Sequence, residues 1–93
     1  MRTFGVQGSG DGELDYPQGV AVDGEGRIWV ADTCNNRIEV FGPDGILLMK
    51  FGGRGSEDGM FSLPTDVAVG ADGRIAVVDT GNNRIQIFEC IEG

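Results

Sequence analysis

One acidic motif occurs twice in the chain, as DTCNNRIEVF from Asp32 and as DTGNNRIQIF from Asp79. A carboxylate in such a motif could ligate a metal ion or act as a general acid or base. It could also pair with the arginine and fix a turn rich in asparagine. The structural interpretation explains the whole motif in both places, so we expect hairpin stabilisation and neither catalysis nor metal binding. The motif residues are Asp32, Asn35, Asn36, Arg37, Asp79, Asn82, Asn83 and Arg84.

Two glycine-rich stretches, GSGDGELD and GSEDGMFS, also carry carboxylates. Calcium takes about six to eight oxygen ligands, and the second stretch keeps only part of the acidic set of the first. A phosphate-binding loop would need a following helix and usually a lysine, and both are missing here. We therefore interpret these stretches as surface connectors. The candidate binding residues on their face are Asp11, Glu13, Asp15, Arg54, Glu57, Asp58 and Asp66.

These motifs belong to an internal duplication. Phe4 aligns with Phe51, and an offset of 47 residues keeps the register to the end of the chain, with about half of the aligned positions identical. The first copy contains four short runs with alternating apolar residues, at 19–23, 27–32, 37–41 and 46–51. This period of two, interrupted by turn residues, predicts antiparallel strands and no helix. We name the four strands of each copy a to d, from the inside outward.

Four short strands in a repeat of about 40 to 50 residues are typical of a propeller blade. The stretch FGGRGSEDGMFSLPTDVAVGADGRIAVVDTGNNRIQIF resembles an NHL repeat, with its FG connector, its P-x-G/D-V-A-V run and its D-x-x-N-x-R-I-Q-V-F ending. Both copies match, over essentially the whole chain. The resemblance implies an all-β fold, with two blades of four-stranded antiparallel meanders per chain. It also implies a closed ring of six blades, hence three chains.

We expect residues 1–93 to form a single module, with a stray d strand at 1–4, a repeat at 5–51 and a second repeat at 52–93 that lacks its d strand. Two blades cannot close a circle, and stacked repeats generally need about three units or more. Apolar side chains on the outer faces would lack partners. These side chains are Val20, Ile28, Val67 and Ile75.

Two organisations explain such incomplete blades. Copies of the chain could close a ring by rotation, for which we favour a homotrimer and keep other ring sizes open. Alternatively, the chain is an excised fragment of a larger propeller, of the ubiquitin-ligase or receptor type, with an RNA- or protein-binding role.

Charge and composition narrow the function classes. The net charge is −8, with 7 basic and 15 acidic residues, so nucleic acid is not an expected partner and a cationic protein surface is favoured. The chain has no histidine, which excludes a Cys/His zinc site, and no metal or cofactor is expected. We therefore favour a non-catalytic, self-assembling protein-interaction scaffold. A calcium-dependent propeller hydrolase is the enzymatic alternative, with Asp23 and Asp66 as its candidate ligands.

Single residues give three further expectations. Trp29, which aligns with Ala76, should pack against the neighbouring blade. Cys34 and Cys90 fall in turns at opposite ends of the strands, beyond the roughly 7 Å between Cα atoms that a disulfide tolerates, so free thiols compatible with the cytoplasm are expected. No apolar run approaches the roughly 20 residues of a membrane span, and residues 1–10 lack the apolar core of a signal peptide. The location is left open.

Overall fold

The computed structural model describes residues 3–89, which fold into two antiparallel sheets of consecutive strands. The first sheet contains β1 (Pro17–Val22), β2 (Ile28–Asp32), β3 (Arg37–Phe41) and β4 (Leu47–Phe51). The second contains β5 (Pro64–Val69), β6 (Arg74–Asp79) and β7 (Arg84–Glu89). In each sheet the strands follow one another in sequence order, as a meander does. The predicted all-β class and the blade-like meanders are confirmed for this part of the chain.

The strands begin and end within two residues of the predicted positions. β1 spans Pro17–Val22, so it starts earlier than predicted and ends one residue sooner. It ends there because the Asp23 carboxylate accepts hydrogen bonds from the amides of Glu25 and Arg27, at 2.9 Å each, and so forms the turn to β2. Between β2 and β3, and again between β6 and β7, the chain makes a short 3-10 turn of three residues.

The two sheets pack face to face around one apolar core. The first sheet contributes Trp29, Ala31, Ile38 and Val40, and the second contributes Val67, Ile75 and Val77. Phe61, from the connector between the sheets, completes the buried cluster. The indole of Trp29 thus packs against the neighbouring blade, as predicted, and its N–H donates a hydrogen bond of 3.0 Å to Asp23.

Aromatic rings line the outer part of the core. The ring of Phe51 on β4 lies 5.2 Å from that of Phe88 on β7, measured between centroids. Phe4 and Phe41, which stand 47 positions earlier, form the same kind of pair at 5.0 Å. Thr3 and Phe4 are not in a strand, and the remainder of the predicted stray strand, residues 1–2, lies outside the described residues. The proposed domain boundaries therefore stay a prediction.

The inner strands of the two sheets lie close together at Gly19. A Cβ atom placed there would lie 2.5 Å from the Cα of Asp66 and 2.9 Å from the carbonyl oxygen of Thr65. Any side chain at position 19 would force the two backbones apart. Gly19 and Asp66 occupy equivalent positions in the two repeats, so the contact joins a residue to its own counterpart.

The outer faces differ from the prediction. Val67 and Ile75 were expected to lack partners, but they are buried at 3% and 2% exposure between the sheets. Val20, in contrast, is 63% exposed. Equivalent residues lie on the same face of each sheet, and only the second sheet turns that face toward the other. The exposed apolar residues of the second sheet are instead Val78, Ile85 and Ile87.

Candidate binding face of connectors and hairpins

The hairpin motif of the first repeat is centred on the buried carboxylate of Asp32. Asp32 lies opposite Arg37 in the register of β2 and β3, and its Oδ2 accepts a hydrogen bond of 2.9 Å from Arg37 Nε. The same oxygen accepts 2.9 Å from Asn35, and Oδ1 accepts 2.7 Å from the amide of Asp15. Asp32 and Arg37 therefore pair across the hairpin.

The turn after Asp32 is closed by the backbone and not by the Asp32 side chain. The 3-10 turn Thr33–Asn35 has no side-chain cap from Asp32, because both carboxylate oxygens are used by the connector, Asn35 and Arg37. The turn closes through the amide of Asn36, which donates to the carbonyl of Thr33 at 3.1 Å. Asn36 has φ 55°, a left-handed conformation that asparagine adopts more readily than most residues.

Arg37 fixes the first connector to the hairpin. Its Nη2 donates to the carbonyl oxygens of Gly10 and Glu13, at 2.8 and 2.7 Å, and its Nη1 donates to Ser9 at 3.1 Å. Asp32 balances the charge of this guanidinium from the other side. The motif therefore shapes the connector as well as the hairpin, since one arginine binds three backbone carbonyl groups of the connector.

The second repeat builds the same arrangement around Asp79. Its Oδ1 accepts 2.8 Å from the amide of Ser62, and its Oδ2 accepts from Asn82, Arg84 and Gln86 at 3.0, 2.8 and 3.1 Å. Burial alone would raise the pKa of Asp79, but these four donors together hold it below its usual value. The four hydrogen bonds therefore favour the ionised form of this carboxylate.

Arg84 repeats the connector clamp as well. Its Nη2 donates to the carbonyl oxygens of Glu57 and Met60 at 2.8 and 3.0 Å. Asn82 donates to Gly55 at 2.8 Å, as Asn35 does to Gly8. Both connectors thus lie over the hairpins of their own sheets, and connectors and β2–β3 or β6–β7 turns share one face, which we call the connector face.

Hydrogen bonds join this face across the two sheets. The hydroxyl of Thr33 donates to the carbonyl oxygen of Pro64 at 2.6 Å, and the amide of Leu63 donates to Asn36 Oδ1 at 2.8 Å. The equivalents of these two side chains in the second repeat are Thr80 and Asn83. Within residues 3–89, the Thr80 hydroxyl shares a hydrogen bond only with the Thr65 hydroxyl, and the Asn83 side chain makes none. The sequence pattern did not identify this cross-sheet contact.

The predicted binding residues lie at this face with differing surroundings. Asp11 pairs with Lys50 of β4, whose hydrogen bond and charge lower the pKa of Asp11, so the first connector carries a cation that its own sequence lacks. Glu13 accepts a bond of 2.8 Å from the amide of Gly10 and is half-buried, as is Asp15. The exposed members are Arg54, Glu57, Asp58 and Asp66. Their role in binding stays a prediction.

Two exposed apolar residues at the face were not identified from the sequence. Tyr16 and Leu63 occupy equivalent positions, with φ 56° and 50°, and both side chains are exposed. A left-handed conformation in a bulky residue costs roughly 1 to 3 kcal/mol and is often found at functional positions. The available signal was a large apolar residue immediately before the proline of each repeat.

The carboxylates considered for calcium are used within the fold. Asp23 accepts bonds from Arg27 and Trp29 as well as from two amides, and although burial raises its pKa, these bonds lower it to about 2. Asp66 accepts 2.8 Å from the amide of Val67. In the part of the chain that the structure describes, no group of three or more His, Cys, Asp or Glu side chains could hold a metal ion.

Two further expectations concern the cysteines and membranes. Cys34 is exposed and free, whereas Cys90 lies outside the described residues, so the state of the second thiol stays a prediction. The helices found within residues 3–89 are too short to cross a membrane.

Comparison with known proteins identifies the repeat. The family described as NHL repeat matches residues 14–41 and 61–88, which together make up over half of the chain. Protein lin-41 of Caenorhabditis elegans is 52% identical over 50 residues, covering 54% of this chain and 4% of the relative. The E3 ubiquitin-protein ligase TRIM71 of Mus musculus is 58% identical over 43 residues, covering 46% and 5%. Protein wech of Drosophila melanogaster is 46% identical over 45 residues, covering 48% and 5%. The chain thus spans a small part of the length of these relatives.

Proposed function

This chain belongs to the NHL-repeat family, and from that premise we propose that it is a non-catalytic binding module whose copies close a propeller ring. In this proposal the two NHL repeats supply the binding surface, and the ring that the copies form serves as a scaffold for a protein partner.

The observation that carries the ring is that each apolar blade face is buried in one repeat and exposed in the other. Ile38 and Val40 of the first sheet are 0% and 1% exposed, because the second sheet covers them. Their equivalents in the second sheet, Ile85 and Ile87, are 64% and 60% exposed. Ile85 and Ile87 therefore lie on the face of the second sheet that a further blade would cover.

The face of the first sheet that points away from the second sheet is also apolar and exposed, so it could cover Ile85 and Ile87 of another copy. Val20 is exposed, while its equivalent Val67 packs between the sheets. A second copy could therefore place its first sheet on the second sheet of this chain, in an arrangement similar to the packing between the two repeats. Polar groups support this arrangement, because Thr80 and Asn83 could reach the next connector as Thr33 and Asn36 do within the chain.

Three copies are favoured because six blades are usual for the family that the chain belongs to. We expect light scattering to give about 29 kDa, three times the 9.8 kDa of one chain. A contact between two different surfaces that closes by rotation produces such a ring. A monodisperse species at one chain mass, with cooperative unfolding, would contradict assembly, and another integral multiple would correct the ring size.

A second organisation is supported by the comparisons. The matched stretches cover only 4% and 5% of protein lin-41 and TRIM71, which is consistent with a segment of a larger propeller. In that case the neighbouring blades of the same polypeptide would cover the exposed faces. A polydisperse or aggregating chain that becomes monodisperse only with further repeats attached would favour this organisation over the ring.

The connector face is the proposed site of partner binding. The acidic balance of the chain favours a cationic protein surface, and long-range attraction would make such binding sensitive to salt. The family resemblance includes RNA-binding propellers, so the expectation against nucleic acid rests on charge alone. We expect a lysine- and arginine-rich peptide to bind more weakly as salt rises, and an RNA hairpin to show no binding. Fluorescence anisotropy with both probes tests this, and tight RNA binding would reverse the choice of partner.

A further inference from the structure

Glu39 is a buried acidic side chain that neither the hairpin motif nor the proposed binding role uses. It lies in the middle of β3 and has no solvent exposure. Within residues 3–89, its Oε2 is the one buried side-chain nitrogen or oxygen atom that has no hydrogen-bond partner. An ionised carboxylate with an unpartnered oxygen is expensive to bury, so this position requires an explanation.

The charged groups around Glu39 do not fully compensate it. Glu39 Oε1 accepts 3.1 Å from the amide of Gly12, and Arg37 Nη2 lies 3.4 Å from the same oxygen. Arg37 already pairs with Asp32 and donates to three connector carbonyls. Lys50 stands opposite Glu39 in the register of β3 and β4, but its ammonium group pairs with Asp11.

The equivalent position of the second repeat shows which hydrogen bonds this buried site provides when every polar atom of the side chain has a partner. Gln86, the equivalent of Glu39, accepts 2.9 Å from the amide of Gly59 through Oε1. Its Nε2 donates to the carbonyl oxygen of Met60 at 2.8 Å and to Asp79 Oδ2 at 3.1 Å. The site therefore offers one backbone donor, which binds Oε1, and two oxygen acceptors. The other terminal atom of the side chain, Nε2 in Gln86, must donate a hydrogen bond to them.

We propose that Glu39 carries a proton on Oε2 in the folded chain and donates it to the carbonyl oxygen of Glu13 or to the carboxylate of Asp32. These are the equivalents of the two acceptors that Gln86 uses. The first connector is then held by a bond that depends on pH, and the second by one that does not. The proton comes from water, and deprotonation returns the orphaned oxygen.

The surroundings act in this direction. Burial raises the pKa of Glu39 and the Asp32 charge adds to this, while the Gly12 amide, Arg37 and Lys50 oppose it. A group whose pKa is higher in the folded chain contributes most stability below its unfolded value of 4.5 and loses it as pH rises through the folded value. Asp79 acts with the opposite sign, since its pKa is lowered by folding.

Reciprocal substitutions test this proposal. We expect Glu39→Gln to unfold at the same urea concentration as the parent chain below pH 4.5 and at an increasingly higher one as pH rises to 8. Gln86→Glu should show the reverse, matching the parent at low pH and becoming progressively less stable at higher pH. Profiles for the parent and Glu39→Gln that stay parallel over this range would overturn the proposal, as would a Gln86→Glu variant without added pH dependence.

A direct titration decides the matter even if a variant fails to fold. Carbon-13 NMR of the parent chain, labelled at glutamate Cδ, should show the Glu39 carboxyl titrating with a pKa above 4.5, the usual value for a glutamate side chain. A pKa of Glu39 at or below 4.5 would overturn the proposal. None of these measurements depends on ring formation.

Discussion

Replacing Asp32 with alanine is expected to lower the free energy of unfolding by about 3 to 5 kcal/mol. The substitution removes the counter-charge of Arg37, whose side chain is only 10% exposed and cannot turn to water without leaving the connector. It also leaves the backbone amide of Asp15 without its acceptor and removes one of the two acceptors of the Asn35 side chain. Urea unfolding followed by the fluorescence of Trp29, the single tryptophan of the chain, measures the loss.

The second repeat provides the matched comparison. Asp79→Ala removes the same kind of carboxylate, but Arg84 is 28% exposed and can recover hydration, so a smaller loss is expected. Asp72→Ala, at a side chain that is 62% exposed, should change the stability by no more than about 0.5 kcal/mol. An Asp79→Ala variant that loses more than Asp32→Ala would show that burial of the arginine does not set the size of the effect.

The Asp79 pair also fixes how stability responds to acid. Because folding lowers the pKa of Asp79, its contribution is present above the usual value of 3.8 and is lost as pH falls through the folded value. The Asp79→Ala variant lacks this contribution, so the difference from the parent chain should shrink as the solution becomes more acidic.

The second large effect concerns assembly. Replacing Ile85 and Ile87 together with lysine should convert the proposed ring to single chains, because their equivalents Ile38 and Val40 are fully covered in the contact that the ring would repeat. Two charges buried in such a contact cannot be compensated by apolar neighbours. Light scattering at several concentrations should give one chain mass for the variant and a multiple for the parent.

A control substitution shows whether the effect is specific to the face that carries Ile85 and Ile87, or follows from replacing any exposed isoleucine with lysine. Ile46, between β3 and β4, is 63% exposed and lies outside the packed faces. Ile46→Lys should keep the mass of the parent. If the paired Ile85 and Ile87 variant also keeps that mass, the second sheet is not the contact surface and the ring proposal fails.

The sequence was most informative where a local pattern determines the geometry. Alternation and turn residues placed Asp32 opposite Arg37, because strand register follows from the period of two and the length of the hairpin. The position of the asparagines in the turn between the strands was predicted for the same reason. The clamp from Arg37 to the connector was not predicted, since contacts with carbonyl oxygens leave no requirement on the type of the contacted residue.

Repetition itself misled the burial predictions. Val20 and Val67 occupy equivalent positions and look identical in sequence, but only Val67 faces another sheet. Glu39 alternates with apolar residues on β3 and would be taken for a solvated position, whereas the connector covers it. Environments of this kind depend on what lies beyond the repeat, which no pattern inside the repeat can encode.

The close approach at Gly19 limits the symmetry of any ring built from this chain. At the junction between two chains, the place of Gly19 would be taken by Asp66, whose Cβ would collide with the neighbouring backbone if the spacing inside the chain were copied. Trp29 would likewise be replaced there by the smaller Ala76. The junctions within a chain and the junctions between chains would therefore differ in spacing and alternate around the ring axis.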